Sequence, residues 1–342
     1  MNNLAKLAAF GLCATVFTPS TTAQEVRVDY PDSVLETPIL RFPFYTLGGG
    51  GTVRYQTMIP ATFAGLPSQP MIATKVGMQI AGQEQYDRFE IRFGTTDQIN
   101  IQPDWLLNLP NQRMQNDQSG TVLQGGVSGG YPVTQWVEYD LEFPVYWQPG
   151  LSLTVDIISS AAIPGSWCET GIGSGERLYQ APYPTAALSV TPDSGIKMRV
   201  VFEPVGFPNF GTGCAGTGGF TPDISGTGSS QIGSTLNLDL SNGLGGAPTA
   251  LVVGGSRSAS TLGPLPLAIG GGCQIVASPD LTFGLVAGGT GAGQGTASFP
   301  LAIPANPALL EAVLYAQWMQ IDAASTAILP VATSDGAAVV IY

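Results

Sequence analysis

The stretch WVEYDLEF, residues 136–143, places an acidic side chain at every second position from Glu138 to Glu142. Successive side chains of a β-strand point to opposite faces of its sheet. This period of two therefore predicts a strand with one acidic and one apolar face. A second stretch, RFEIRF at residues 88–93, repeats the pattern with charges at 88, 90 and 92. Both stretches indicate sheets with one buried face.

Short strand-like segments recur along the rest of the chain, separated by turns rich in the 45 glycines and 27 prolines. Strands are predicted at 53–59, 72–80, 151–158, 197–202, 235–240, 250–254, 265–269, 274–277, 282–286, 295–303, 314–321 and 337–341. Only residues 307–312 suggest a helical turn. We therefore expect an all-β fold of two antiparallel β-sandwich domains, of jelly-roll or Greek-key type.

A composition change near residue 205 predicts the domain boundary. Of the 12 basic residues, only Arg257 follows this point. The segment PVGFP at 204–208 has the character of a connector. We assign one domain to 24–204 and the other to 205–342.

The first 23 residues have the pattern of a secretory signal peptide. The apolar run LAAFGLCATVF at 7–17 is too short to span a bilayer, and the small residues at 21–23 suit a signal peptidase. Cleavage is expected before Gln24. The mature protein should be secreted or held at the cell surface, with no membrane span.

Charge and histidine content exclude several kinds of function. The formal net charge is −12, which argues against nucleic acid and anionic membrane as partners, since both are bound through Lys and Arg. The chain has no histidine. Ser-His-Asp and Cys-His catalysis and His-ligated metals are thereby ruled out.

Three cysteines remain after the predicted cleavage, so one pair and one extra thiol are expected in an oxidising compartment. Cys214 and Cys273 both lie in glycine-rich turns of the second half and are predicted to pair. Cys168 is then free or forms an intermolecular bond.

The stretch FGTGCAG at 210–216 matches the dinucleotide fingerprint G-x-G-x-x-G. That motif needs a helix after it, whose N-terminus binds the pyrophosphate. Here TGGFTP follows at 217–222, and its glycines and proline disfavour a helix. The stretch is interpreted as a turn that carries a cystine.

Glu138, Asp140 and Glu142 form the candidate metal site, because a row of carboxylates could bind calcium. The alternative is that they pair with the charged face at 88–92, if the two strands are neighbours. No cofactor other than calcium is suggested.

Trp105 and Trp167 are the candidate ligand-binding residues, since they lie in loop-like sequence and exposed tryptophans stack on sugar rings. Glu169, beside Trp167, is the best local candidate for a general acid, but no second carboxylate is indicated as its partner. We therefore predict no catalytic residue.

Several short motifs follow one another along the chain. They are FGTGCAGTGG at 210–219, PLPL at 264–267, GC at 272–273, SPD at 278–280, FPLAIP at 299–304 and LYAQ at 314–317, with FPF at 42–44, RYQ at 54–56 and WQPG at 147–150 in the first half. Their order resembles that in a group of uncharacterised secreted two-module proteins from planctomycete-type bacteria. The resemblance implies two β-sandwich domains and a Cys214–Cys273 cystine. It transfers no functional residue.

The favoured hypothesis is an exported, non-catalytic surface or extracellular-matrix protein that contacts a protein or a polysaccharide. The alternative is a carbohydrate-binding module, with or without calcium. A glycoside hydrolase based on carboxylates is less favoured. The sequence leaves the oligomeric state open.

Overall fold

The computed structural model describes residues 25–31, 39–40, 51–128, 131–133, 135–161, 169–173, 175–185, 188–192, 195–325 and 327–342. Nearly all its regular elements are strands, and nearly all pairings are antiparallel, so the all-β prediction is confirmed. One short helix, α1 (Trp105–Asn108), was not expected. The predicted helical turn is a single 3-10 turn, Pro307–Leu309, and another spans Thr217–Gly219.

Sixteen strands are described before residue 205. They are β1 (Val26–Tyr30), β2 (Ile39–Leu40), β3 (Val53–Ile59), β4 (Met71–Ala81), β5 (Gln83–Thr96), β6 (Met114–Asp117), β7 (Val122–Gln124), β8 (Gly126–Ser128), β9 (Tyr131–Val133), β10 (Gln135–Trp147), β11 (Ser152–Ala161), β12 (Glu169–Gly173), β13 (Arg177–Gln180), β14 (Ser189–Thr191), β15 (Gly195–Ile196) and β16 (Met198–Pro204).

Two sheets of these strands form the first sandwich. One contains β1, β16, β4 and β10 as successive neighbours, and the other has the order β14-β13-β3-β11-β5-β6. Apolar side chains from both sheets meet in one core, among them Tyr55, Val76, Phe89, Val155 and Val200. The stretch at 88–93 lies in β5, so it belongs to the sheet opposite β10.

Twelve strands are described after residue 205. They are β17 (Asn209–Phe210), β18 (Asp223–Gly228), β19 (Thr235–Gly245), β20 (Pro248–Gly254), β21 (Ala259–Ser260), β22 (Gly263–Pro264), β23 (Leu267–Gly270), β24 (Cys273–Ile275), β25 (Leu281–Val286), β26 (Gly291–Ala302), β27 (Val313–Ile321) and β28 (Val331–Val340).

A five-stranded sheet, β17-β28-β27-β20-β25, faces a three-stranded sheet, β18-β19-β26, in the second sandwich. Leu238, Leu251, Trp318 and Val339 are buried between them. Within the described residues, no strand pairing joins the two halves of the chain. No helix in the described part of the chain is long and apolar enough to cross a bilayer.

A disulfide and hydrogen bonds connect the turn FGTGCAG to the rest of the second sandwich, at its cysteine and just after its last residue. The sulfur atoms of Cys214 and Cys273 lie at disulfide-bonding distance, with their Cα atoms 4.8 Å apart, as the sequence predicts. The Cys214 backbone N–H also donates to the Thr333 carbonyl at 2.8 Å. Just after the turn, the Thr217 N–H and hydroxyl both donate to the carboxylate of Asp322 at 2.6 Å. A 3-10 turn follows instead of a nucleotide-binding helix.

Candidate functional site

The predicted acidic row on β10 begins with Glu138, which is held by two arginines. Its Oε1 lies 2.7 Å from Nη1 of Arg27 and 3.3 Å from Nη1 of Arg199. In strand register, Glu138 and Arg199 flank Gly77 of β4, and a Cβ on Gly77 would meet Glu138 Cγ at 3.1 Å. The missing side chain at Gly77 lets the arginine reach across the strand. Arg199 also binds Asp29 at 2.6 Å. Asp29, Arg199 and Glu138 therefore alternate in sign across the strands of this sheet.

Asp140, the second member of the row, lies where β10 leaves its regular pairing with β4. Its carboxylate is 3.5 Å from Nζ of Lys75, its register partner. The pairing then shifts between Asp140 and Val145. Strand β6 supports the bulge, since Asn116 donates to the Asp140 carbonyl at 2.9 Å and the N–H of Phe143 donates to Gln115 at 2.9 Å.

Glu142, the third member, leaves the row because of this bulge and contacts the second sandwich. Its Oε1 accepts hydrogen bonds from the hydroxyls of Ser256 and Ser258, both at 3.0 Å, and from the Arg257 N–H at 3.2 Å. Its other oxygen lies 3.9 Å from Nε of Arg257. Glu142 therefore fastens the two sandwiches together.

Apolar contacts reinforce this junction. The rings of Tyr146 and Tyr342 stack with their centroids 4.7 Å apart. Ile72 and Phe143 of the first sandwich belong to a cluster with Val340 and other side chains of the second. The junction between sandwiches is thus a packed interface, with Glu142 at one side of it.

A groove beside the junction is the candidate functional site. It has a volume of about 290 Å³ and is lined by Lys75, Asp140, Glu203, Phe210 and Arg257, with both polar and apolar neighbours. Burial raises the pKa of the Glu203 carboxyl, and the like charges of the nearby carboxylates add to this, although a hydrogen bond with Thr74 and the charge of Lys75 oppose it. Charged side chains next to an aromatic ring suit a polar ligand such as a sugar.

The three carboxylates of the candidate metal site do not face one point. Glu138 faces arginines, Asp140 faces Lys75 and Glu142 faces the serines of the other sandwich. Among the described residues, no three Cys, Asp or Glu side chains are grouped as metal ligands. The alternative prediction was that the acidic row pairs with the charged residues at 88–92. It is wrong, because those residues lie on β5, in the opposite sheet. Glu138 and Asp140 are instead paired with cations of the sheet that contains β10, whereas Glu142 is bound by the second sandwich.

Trp105 lies over a buried ion pair on the outer face of the other sheet. The guanidinium carbon of Arg54 is 4.5 Å from its ring centroid. Arg54 forms a salt bridge with Asp156, which is fully buried and also accepts a hydrogen bond from Gln56 at 2.7 Å. Asn108 of the same short helix donates to Gln56 at 3.0 Å. One face of the Trp105 ring is thus already occupied by protein.

The structure describes no side-chain geometry for two other candidates, Trp167 and Glu169. Trp167 lies outside the described residues, as does Cys168. Glu169 begins β12, whose backbone pairs with β4. The predicted roles of Trp167 and Glu169 stay predictions.

Sequence reasoning missed the groove residues contributed by other strands, Lys75 and Glu203. It did contain one signal for the junction. Arg257 is the only basic residue after the predicted domain boundary, and it lies against Glu142. A single basic residue in a segment whose other charged residues are all acidic can indicate a specific partner, and here that partner is in the other sandwich.

Comparison with known proteins gives little likeness. No family model matches the chain, and no curated protein matches it. One solved structure with partial similarity is Bifidobacterium dentium beta-glucuronidase complexed with coumarin-3-O-glucuronide, at 11% identity and a TM-score of 0.16. The alignment covers 83% of this chain and 39% of that one, so this chain spans about two fifths of its length. Similarity this low carries no argument about activity.

Proposed function

We propose that this chain is an exported, non-catalytic surface or extracellular-matrix protein that acts by contact with another protein or a glycan. The proposal rests on the contacts made by the three carboxylates of the acidic row. Glu138 and Asp140 are neutralised by cations of neighbouring strands, and Glu142 joins the two sandwiches. These three carboxylates therefore have structural contacts within the protein.

The packed junction supports the same proposal. Hydrogen bonds of Glu142, the stacked pair Tyr146–Tyr342 and a shared apolar cluster hold the sandwiches together. A protein that acts by contact needs a surface of fixed shape, and preorganisation lowers the entropic cost of binding. The disulfide pair favours an oxidising compartment outside the cytoplasm.

Export is tested by expressing the full chain and a form lacking residues 1–23 in the same cells. The full chain should reach the medium or the cell surface with a new N-terminus at Gln24. The shortened form should remain inside. Full-length protein that stays in the cytoplasm would contradict the proposed location.

A carbohydrate-binding module is the second candidate, favoured by the groove at Lys75, Asp140 and Glu203. Sugar hydroxyls pair with such charged groups, and Phe210 lines the same groove, with the guanidinium carbon of Arg257 5.3 Å from its ring centroid. Calcium assistance and glycoside hydrolysis stay less favoured, and each has a simple test: chelator sensitivity of binding for the first, and released sugar for the second.

A glycan array probed with wild type, Lys75→Ala and Trp105→Ala separates the two glycan sites. Binding at the groove predicts loss with Lys75→Ala and retention with Trp105→Ala. The reverse pattern would place the glycan at Trp105. An array that stays blank for wild type contradicts the glycan proposal and leaves protein contact as the function.

A further inference from the structure

Among the described residues, the two facing sheets of the second sandwich have four edge strands, and three of them carry features that disfavour further pairing. Unpaired strand edges bind other strands unless they are short, charged or interrupted by proline. β17 is only two residues long, β18 starts with the charged Asp223, and β26 contains Pro300. β25, with the sequence LTFGLV, has none of these features.

The free edge of β25 exposes a regular set of backbone groups. The Ala287 N–H donates to Ala247 of the neighbouring segment. Because N–H groups of a strand alternate in direction, those of Thr282, Gly284 and Val286 point away from β20. In the described part of the chain, no backbone group bonds to them. A Cβ on Gly284 would meet nothing within 4 Å, so the outer face of the sheet is also open beside this edge.

The side chains at this edge are apolar and incompletely covered. Leu281 is 58% exposed and Val286 is 69% exposed. Phe283 is partly buried and stacks on Phe299 of the facing sheet, with ring centroids 4.3 Å apart. The sandwich is therefore open between β25 and β26, and part of its core reaches solvent there.

Charge indicates what covers this edge. No charged residue occurs between Asp280 and Glu311, in a chain whose net charge is −12. Two copies would repel each other across most surfaces, but not here. The edge also offers no charge with which to select an oppositely charged partner, so recognition depends on backbone pairing and apolar contact. A second β25 supplies both, since an antiparallel strand pair about a two-fold axis is self-complementary.

We propose that β25 is a homodimerisation edge, at which two copies of the chain pair antiparallel about a two-fold axis at Gly284. In this register Thr282 of one copy lies opposite Val286 of the other. The two five-stranded sheets then form one continuous sheet of ten strands, and each copy covers the open side of the other sandwich. This inference is independent of the ligand that the protein binds.

The proposed register can be tested by placing charges at Thr282 and Val286, which lie opposite each other in the dimer. The variant Thr282→Lys/Val286→Lys puts like charges opposite each other, whereas Thr282→Lys/Val286→Glu puts opposite charges there. Within one copy the two side chains are four residues apart on a strand, roughly 13 Å, so neither variant forms a close pair internally. Like charges opposite each other destabilise strand pairing, and opposite charges stabilise it.

Wild type is expected to be a dimer in analytical ultracentrifugation of the mature chain. The dilysine variant should raise the dimer dissociation constant by about tenfold or more, and the lysine–glutamate variant should restore it. Leu262→Lys, at a 58% exposed site in the turn between β21 and β22, is the control outside β25 and should remain dimeric. A monomeric wild type, an unchanged dilysine variant or a failed rescue would each overturn the proposal.

Hydrogen exchange resolved to single amides tests the same edge without any substitution. On dilution below the dissociation constant, the amides of Thr282, Gly284 and Val286 should lose protection. Those of Phe283 and Leu285, which point to β20, should keep theirs. Equal behaviour of the two sets would contradict edge pairing through β25.

Discussion

Glu142 in the first sandwich accepts a hydrogen bond from the backbone N–H of Arg257 in the second, at 3.2 Å. Glu142 comes from the acidic row that the sequence shows most clearly, and Arg257 is the only basic residue of the second half. The two unusual features of the charge pattern therefore meet at one contact. That contact joins the sandwiches and borders the candidate site.

Glu142→Ala is expected to weaken the junction. The substitution removes three hydrogen bonds from Ser256, Arg257 and Ser258. Hydrogen bonds to a charged group contribute about 1.5–3 kcal/mol, so a loss of about 2–3 kcal/mol is expected overall. In calorimetry the thermal transition should move down and separate into two.

Asp140→Asn is the matched control for this prediction. Asp140 is the neighbouring acidic residue, is 61% exposed and, among the described residues, forms an ion pair with Lys75 alone, at 3.5 Å. An exposed ion pair is worth at most about 1 kcal/mol. If both variants melt like wild type, Glu142 does not fasten the junction.

Removing the disulfide with Cys214→Ser/Cys273→Ser should destabilise the second sandwich by about 4 kcal/mol, because a bridge across 59 residues restricts the unfolded chain. Chemical denaturation under oxidising conditions measures this difference. Reducing agent should lower wild-type stability and leave the double variant unchanged. A double variant as stable as oxidised wild type would show that the two cysteines are not bonded.

Asp322→Asn should remove a pH-dependent contribution to stability. Burial alone would raise the pKa of Asp322, but hydrogen bonds from Thr217 and Ala324 outweigh it and lower the pKa below its usual 3.8. The charged form thus stabilises the folded protein above that pH, and the contribution is lost as pH falls through the folded pKa. Wild type should exceed the variant by about 1 kcal/mol at pH 7, and by progressively less below pH 3.8. A constant difference across this range would exclude the linkage.

Arg54→Met should be strongly destabilising, because it removes the close partner of the buried Asp156 and leaves the more distant Arg92, at 3.9 Å, to balance its charge. Removal of one partner of a buried pair costs about 3–5 kcal/mol. The double variant Arg54→Met/Asp156→Leu should recover much of this loss, as denaturation curves can show. A single variant within about 1 kcal/mol of wild type would mean that Arg92 or solvent compensates the carboxylate.

Alternation of side chains predicted the strands well, since burial of one face leaves a period of two in the sequence. It could not predict which strands are neighbours. The row at Glu138 is balanced by Arg199 across Gly77, and this depends on long-range pairing of β10, β4 and β16. The bulge that turns Glu142 toward Ser256 interrupts a pattern that is regular in the sequence. The groove at Lys75 and Glu203 was missed for the same reason.

Helix α1 was missed because a single turn leaves no periodicity. Its only local signal is Asp104, whose carboxylate accepts a hydrogen bond from the Leu106 N–H at the helix start. The turn at FGTGCAG was predicted correctly because glycine and proline act locally. Structure that depends on residues close together in the sequence could thus be predicted. Contacts between strands distant in the sequence could not.

We propose that the protein binds extracellular material without converting it. The most direct test is cosedimentation of the purified mature chain with envelopes and matrix from cells that express it, with analysis of released sugars in the same samples. We expect saturable retention of the protein in the pellet and no release of sugar with time. Protein that stays in the supernatant, or sugar release in proportion to added protein, would contradict it.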